Sequence, residues 1–217
     1  MRASAGRAYA TFAFGRAAAV YDLLTDHEVW RRDCRELAAL VPGPLVLDLG
    51  VGPGAGVLEM AQSSPAKRHL GLDVSDAMLR RAAARARAAG VALPLLRADA
   101  LMLPVRDRAL DGVTGHSFLY LLSDPAAALA ELHRAVRPGG RVAFLEPGAG
   151  IARVGEALRD GPRHALAMVM WRGMSRLHRR FDAPALAGLL TSAGFAGARA
   201  WPVMSGFGVM ATAERPW

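Results

Sequence analysis

A glycine cluster, three aspartates and one histidine are the groups in this chain whose spacing points to chemistry. Asp48 stands inside the apolar run Leu45 to Leu49, and Gly50, Gly52, Gly54 and Gly56 alternate after it, before Val57-Leu-Glu-Met-Ala61 resumes at helical spacing. Glycine permits positive φ and close backbone approach, and a helix starting beyond such a loop aims free N–H groups and the positive end of its dipole at a ligand. Asp73 follows about 20 residues on, the distance at which a strand-end carboxylate takes a pair of vicinal ribose hydroxyls. The pattern therefore holds part of a nucleotide-like ligand. Two ligand chemistries fit it. Gly50-x-Gly52-x-x-Ala55 satisfies the dinucleotide fingerprint formally, whereas Asp48 would put negative charge beside a diphosphate and suits a cationic ligand instead.

The wider pattern resembles one family. Val46-Leu-Asp48-Leu-Gly50-Val-Gly52-Pro-Gly54 is similar to motif I of the class I S-adenosylmethionine-dependent methyltransferases. Leu70-Gly-Leu-Asp73-Val74-Ser-Asp-Ala-Met78 resembles their second-strand motif, and Arg97-Ala-Asp99-Ala100 their adenine-side loop. Leu110-Asp-Gly-Val resembles the fourth strand, and Val136-Arg-Pro-Gly-Gly140 the turn into the fifth. The resemblance covers roughly residues 40 to 146 and implies S-adenosyl-L-methionine as cofactor and S-adenosyl-L-homocysteine as product. It implies a cofactor site of Asp48, Gly50, Gly52, Gly54, Asp73, Val74, Met78, Asp99, Ala100 and His116, with Asp73 on the ribose and Asp99 on the adenine amino group. His116 ends the fourth strand, which the family places next to the transferable methyl; it is read as a cofactor contact, a general base or a structural residue, since imidazole titrates at about 6.5. Phe14-Gly-Arg16 to Tyr21-Asp22 resembles the segment preceding motif I in the ubiquinone and menaquinone C-methyltransferases, which makes Tyr21 the second catalytic candidate beside His116.

These residues need a particular scaffold to meet. Residues 45–49, 69–74, 93–98, 110–116 and 141–145 read as strands, alternating with helical stretches that include residues 75–89 and a run from Pro125 to about Val136. Residues 27–40 are expected to form a helix capped by Asp26. Pro138-Gly-Gly140 reads as a turn, and Glu146 as a solvent-facing acid or, following the family, a substrate-side one. A helix from Gly161-Pro162 through Trp171 has an apolar body and a basic end, suited to a substrate lid or a membrane surface. A helix capped by Asp182 and two strands, residues 197–204 and 207–214, close the chain. The expected fold is α/β and Rossmann-like: seven mostly parallel strands with an antiparallel C-terminal hairpin and helices on both faces. It forms one domain, with an N-terminal helical cap (1–43), a cofactor-binding core (44–147) and a substrate-side lid with the last strands (148–217).

Composition narrows the class. A chain of 217 residues, 53% hydrophobic, is sized for one such domain. The lone Cys34 rules out an internal disulfide and a cysteine-only metal site; no metal is expected. No apolar run spans a bilayer and no secretory leader is legible, so the reading is cytoplasmic, with peripheral contact at an anionic membrane surface left open by the net charge of +8. Only Lys67 among the 27 basic residues is lysine, which a GC-rich coding bias also explains.

No Asn-Pro-Pro-Tyr or Asp-Pro-Pro-Tyr follows the fourth strand and aromatics make up only 6% of the chain, so nucleic-acid substrates are disfavoured. The expected function is methyl transfer to a small, lipophilic acceptor, quinone- or phenol-like or a lipid headgroup. The rivals are a methyltransferase acting on RNA or another macromolecule, a non-catalytic S-adenosylmethionine-binding protein and a dinucleotide oxidoreductase.

Overall fold

The computed structural model describes residues 27–217, so Tyr21, Asp26 and most of the segment around them lie outside the described residues. The first described helix, α1 (Glu28–Leu40), is capped by His27, whose ring accepts the Trp30 N–H at 3.3 Å. β1 (Leu45–Leu49) leads through the glycine loop to α2 (Ala55–Ser63), and β2 (Arg68–Asp73) to α3 (Asp76–Ala88), capped by Ser75. β3 (Leu95–Arg97) is three residues long, shorter than the run 93–98 expected, because only Leu95 to Arg97 pair with β2. β4 (Leu110–His116) matches its expected bounds, and Asp124 caps α4 (Pro125–Ala135) through the Ala127 N–H.

β5 (Val136–Pro147) absorbs the expected Pro-Gly-Gly turn. Val136 pairs with Leu110 and Arg141 with Gly112, so residues 137–140 form an irregularity inside one strand instead of a separate connection. Beyond β5 come a short helix α5 (Val154–Arg159), which the sequence reading did not contain, then α6 (Pro162–Ser175) and α7 (Ala183–Ser192), capped by Asp182. β6 (Ala196–Val203) and β7 (Gly208–Glu214) are antiparallel, and β7 pairs with β5, leaving β6 at the edge.

The sheet runs β3-β2-β1-β4-β5-β7-β6, with the first five strands parallel. Chain order therefore reverses between β1 and β4, the crevice where ligands bind in open α/β sheets. Alternation along each strand divides the core. Leu47, Leu49, Val142 and Phe144 pack towards α4 and α7, whereas Val46, Ala143 and Leu145 pack with Trp30, Leu37, Val57, Met168 and Trp171 of α1, α2 and α6.

Candidate functional site

The site is assembled at the carboxyl edge of β1, β2 and β4. Gly50 and Gly52 both have positive φ, 64° and 52°. A Cβ on Gly50 would run into the Phe118 ring, while one on Gly52 would meet only the Gly50 carbonyl at 3.9 Å, so open space lies over the middle of the loop. Gly54 is the N-cap of α2 and offers no capping side chain, which leaves the first N–H groups of that helix available to a ligand.

Asp73 closes the other side. Its Oδ2 accepts the Gly52 N–H at 3.0 Å and its Oδ1 the Ser75 N–H at 2.8 Å, so the carboxylate is held rigidly while each oxygen keeps acceptor capacity. Burial raises its pKa and the backbone N–H bonds oppose that. The Ala98 N–H donates to the Asp73 carbonyl at 3.2 Å, bringing the following loop alongside. Asp99 there accepts the Leu101 N–H at 3.0 Å in a local turn, next to the buried Ala100. Val74 is exposed just beyond Asp73, and Met78 is buried on α3 with its N–H on the Ser75 hydroxyl.

Asp48 lies beneath the loop, 3% exposed, with the Thr114 hydroxyl donating to it at 2.8 Å. Burial pushes its carboxyl up to about 7 against that hydrogen bond, and the nearby Asp73 adds to the rise. Two residues along β4 from Thr114 stands His116. Its Nε2 accepts the Trp30 indole N–H at 2.8 Å, and its ring lies nearly parallel to that of Trp171, with centroids 6.4 Å apart. Burial pushes its pKa down to about 4, so the imidazole is neutral at pH 7, with the ring proton on Nδ1. Alongside, His27 Nε2 and His164 Nδ1 lie 3.0 Å apart, joining the start of α1 to α6.

Glu146 corrects the expectation of a solvent-facing acid. It is fully buried and accepts the N–H groups of Phe118, Leu119 and Tyr120 at 3.0, 2.8 and 3.1 Å. Burial raises its pKa to about 7 in spite of those bonds. Its role is to anchor the turn after β4 that carries Phe118 over the glycine loop. The structure thus brings Gly52, Asp73 and the Asp99 loop together, and sets Asp48 and His116 on the neighbouring strands. Sequence reasoning missed Thr114, Trp30 and Trp171 as parts of this cluster. Thr114 was legible in principle, since it shares a strand face with His116, but both tryptophans arrive from helices distant in the chain.

The residues fit S-adenosylmethionine on three counts: the open cradle over Gly52, the oriented Asp73 carboxylate with acceptor capacity left, and the acid of Asp48 where a cation would favour its ionised form. Comparisons with known proteins agree. Residues 47–144 match the family described as methyltransferase domain. The chain is 38% identical over 117 residues to a demethylmenaquinone methyltransferase of Thermus thermophilus, covering 54% of this chain and 53% of that protein. It is 34% identical over 140 residues to the ubiquinone/menaquinone biosynthesis C-methyltransferase UbiE of Burkholderia mallei, covering 61% and 58%. The chain thus spans a little over half the length of the curated relatives it matches. In fold it resembles phosphoethanolamine N-methyltransferase 2 of Haemonchus contortus, solved with S-adenosyl-L-methionine, at a TM-score of 0.71 and 15% identity over 94% of this chain and 57% of that one. With the strand order, the glycine loop, the placed aspartates and the sequence match on one stretch, the chain is similar, through residues 47–144, to the class I S-adenosylmethionine-dependent methyltransferases.

Proposed function

We propose that this chain catalyses methyl transfer to a small, lipophilic acceptor of the quinone, phenol or lipid-headgroup kind. The cofactor half rests on Asp73 bridging the glycine loop and α3 while Gly52 stays open above. The acceptor half rests on the ring cluster Trp30, His116 and Trp171 at the end of β4, whose faces and edges suit a planar, weakly polar molecule. Two relatives named for menaquinone or ubiquinone biosynthesis support that class.

When bound, S-adenosylmethionine supplies an electrophilic methyl group, so the protein's task is alignment and exclusion of water. Asp73 orients the ribose, and the α2 N-terminus and the loop N–H groups hold the polar end of the cofactor. Val74, Met78, Asp99 and Ala100 line the adenine side. Asp48 supplies the compensating negative charge. His116, neutral and fixed by Trp30, positions the acceptor without adding positive charge next to the sulfonium. For it to take a proton at Nε2, Trp30 would first have to release that nitrogen. Tyr21, outside the described residues, remains the second catalytic candidate.

The test is calorimetric titration with S-adenosylhomocysteine and, separately, NADH, followed by labelled-methyl transfer to a reduced quinone, a simple phenol and phosphatidylethanolamine. Binding of the homocysteine product with methyl transfer to one acceptor supports the reading. Binding with no transfer to any of them overturns its acceptor half, and NADH binding alone overturns it entirely.

A further inference from the structure

The helix that carries Trp171 has two apolar sides. His164, Ala165, Ala167, Met168, Trp171 and Ser175 point inward on α6, yet Leu166, Val169 and Met170, at i, i+3 and i+4, are 54%, 47% and 39% exposed on the opposite side. α5 repeats this with Val154 and Leu158, and Ile151 and Leu177, just outside these helices in the chain, are 87% and 83% exposed. Most of the large hydrophobic side chains exposed among the described residues fall in this one stretch of about thirty residues, where soluble surfaces rarely group them.

Charge accompanies it. Residues 151–180 hold seven arginines against Glu156 and Asp160, a surplus of five out of the chain's +8. Arg176, Arg179 and Arg180 follow the end of α6 and make no ion pair with a described residue, and Arg176 and Arg180 lie near enough to Arg172 to lower its pKa, after burial. Such a cluster calls for outside anions.

We propose that the outward face of α5 and α6, with the arginines beyond it, is a docking surface for an anionic lipid bilayer. Apolar side chains enter the acyl boundary while the long arginine side chains reach the phosphates. No helix among the described residues is long and apolar enough to cross a membrane, so the contact is peripheral. A second copy of this face would repel it by the same surplus. RNA would satisfy the arginines but leave Leu166, Val169 and Met170 against a polar partner, and the two rings on these helices that could stack on a base, His164 and Trp171, lie on the inward side, away from this surface. The inference deepens the lipophilic-acceptor reading: the inward side of α6 walls the candidate site next to His116, so an acceptor dissolved in the bilayer would meet the site across one helix.

The test is co-sedimentation of the full chain, without cofactor or acceptor, with vesicles of phosphatidylcholine alone and of phosphatidylcholine mixed with phosphatidylglycerol. Binding is expected to the mixed vesicles only and to fall with salt. Each arginine near such a surface is worth about a fivefold change in partitioning, so Arg176→Ser/Arg179→Ser/Arg180→Ser should lose about a hundredfold. Leu166→Asp/Met170→Asp should lose a comparable amount, with circular dichroism and S-adenosylhomocysteine affinity unchanged in both variants. That affinity, titrated separately, reports on the methyltransferase reading, so the two fail independently. No binding to mixed vesicles, or binding that neither variant weakens, overturns the surface. A dimer in sedimentation velocity that Leu166→Asp/Met170→Asp abolishes, or tight RNA binding, in either case without vesicle binding, assigns the face elsewhere and overturns it too.

Discussion

Asp48 answers to stability and function in opposite directions. Its folded pKa of about 7 exceeds its ordinary 3.8, so the folded state binds a proton that the unfolded state has released, and stability falls as pH rises from about 4 to 7. Above that range the cost is roughly 4 kcal/mol. Asp48→Asn should therefore melt higher than the parent at pH 8, with the gap closing towards pH 4 in a series of thermal melts, and should bind the cofactor more weakly. His116 runs the other way: its pKa is lowered to about 4, so stability is lost as pH falls below its ordinary 6.5 towards that value. The Trp30 indole donates to the neutral ring, so Trp30→Phe should raise the His116 pKa in an NMR titration; an unchanged value would remove the hydrogen bond from the account. Asp73→Ala should weaken S-adenosylhomocysteine binding by about 1–3 kcal/mol, by calorimetry on the folded variant.

At the scale of elements, the loop between β1 and α2 uses its glycines for two different purposes. At Gly50 a side chain would collide with Phe118, so Gly50→Ala should lower the melting temperature with or without ligand. At Gly52 the space is open, so Gly52→Ala should cost about 1 kcal/mol of stability from its positive φ and reduce cofactor affinity far more. Both effects are read by comparing thermal melts with calorimetric binding. The turn after β4 depends on Glu146. Removing that acceptor in Glu146→Ala strands three backbone N–H groups and should destabilise by about 3 kcal/mol or more in urea unfolding.

At the scale of the molecule, the sheet separates two jobs. One face buries β1 and β5 side chains against α4 and α7 and is plain core. The other faces α1, α2 and α6, and there the core gives way near the carboxyl edge to Asp48, Thr114, His116 and the two tryptophans. α6 therefore serves as core inside, wall of the candidate site at Trp171 and unpartnered apolar surface outside. A helix apolar all round normally indicates full burial; here the exposed side calls for a partner.

The parts of this protein that the sequence by itself determined are those whose causes are local. The strand, loop and helix around Gly50 and Gly52, the cap at Asp182 and the β4 bounds depend on residues a few positions apart, and each stands where it was read. Asp73 was legible because the glycine loop and the next strand end are joined by one short helix. Only tertiary structure decided the rest. Glu146 takes N–H groups 26 to 28 positions away, Trp30 reaches His116 across 86 and His27 meets His164 across 137. A polar residue in a sequence does not name its distant partner. Whether an acid at a strand end meets solvent or a ring of backbone donors follows only once the sheet has brought the separate segments together.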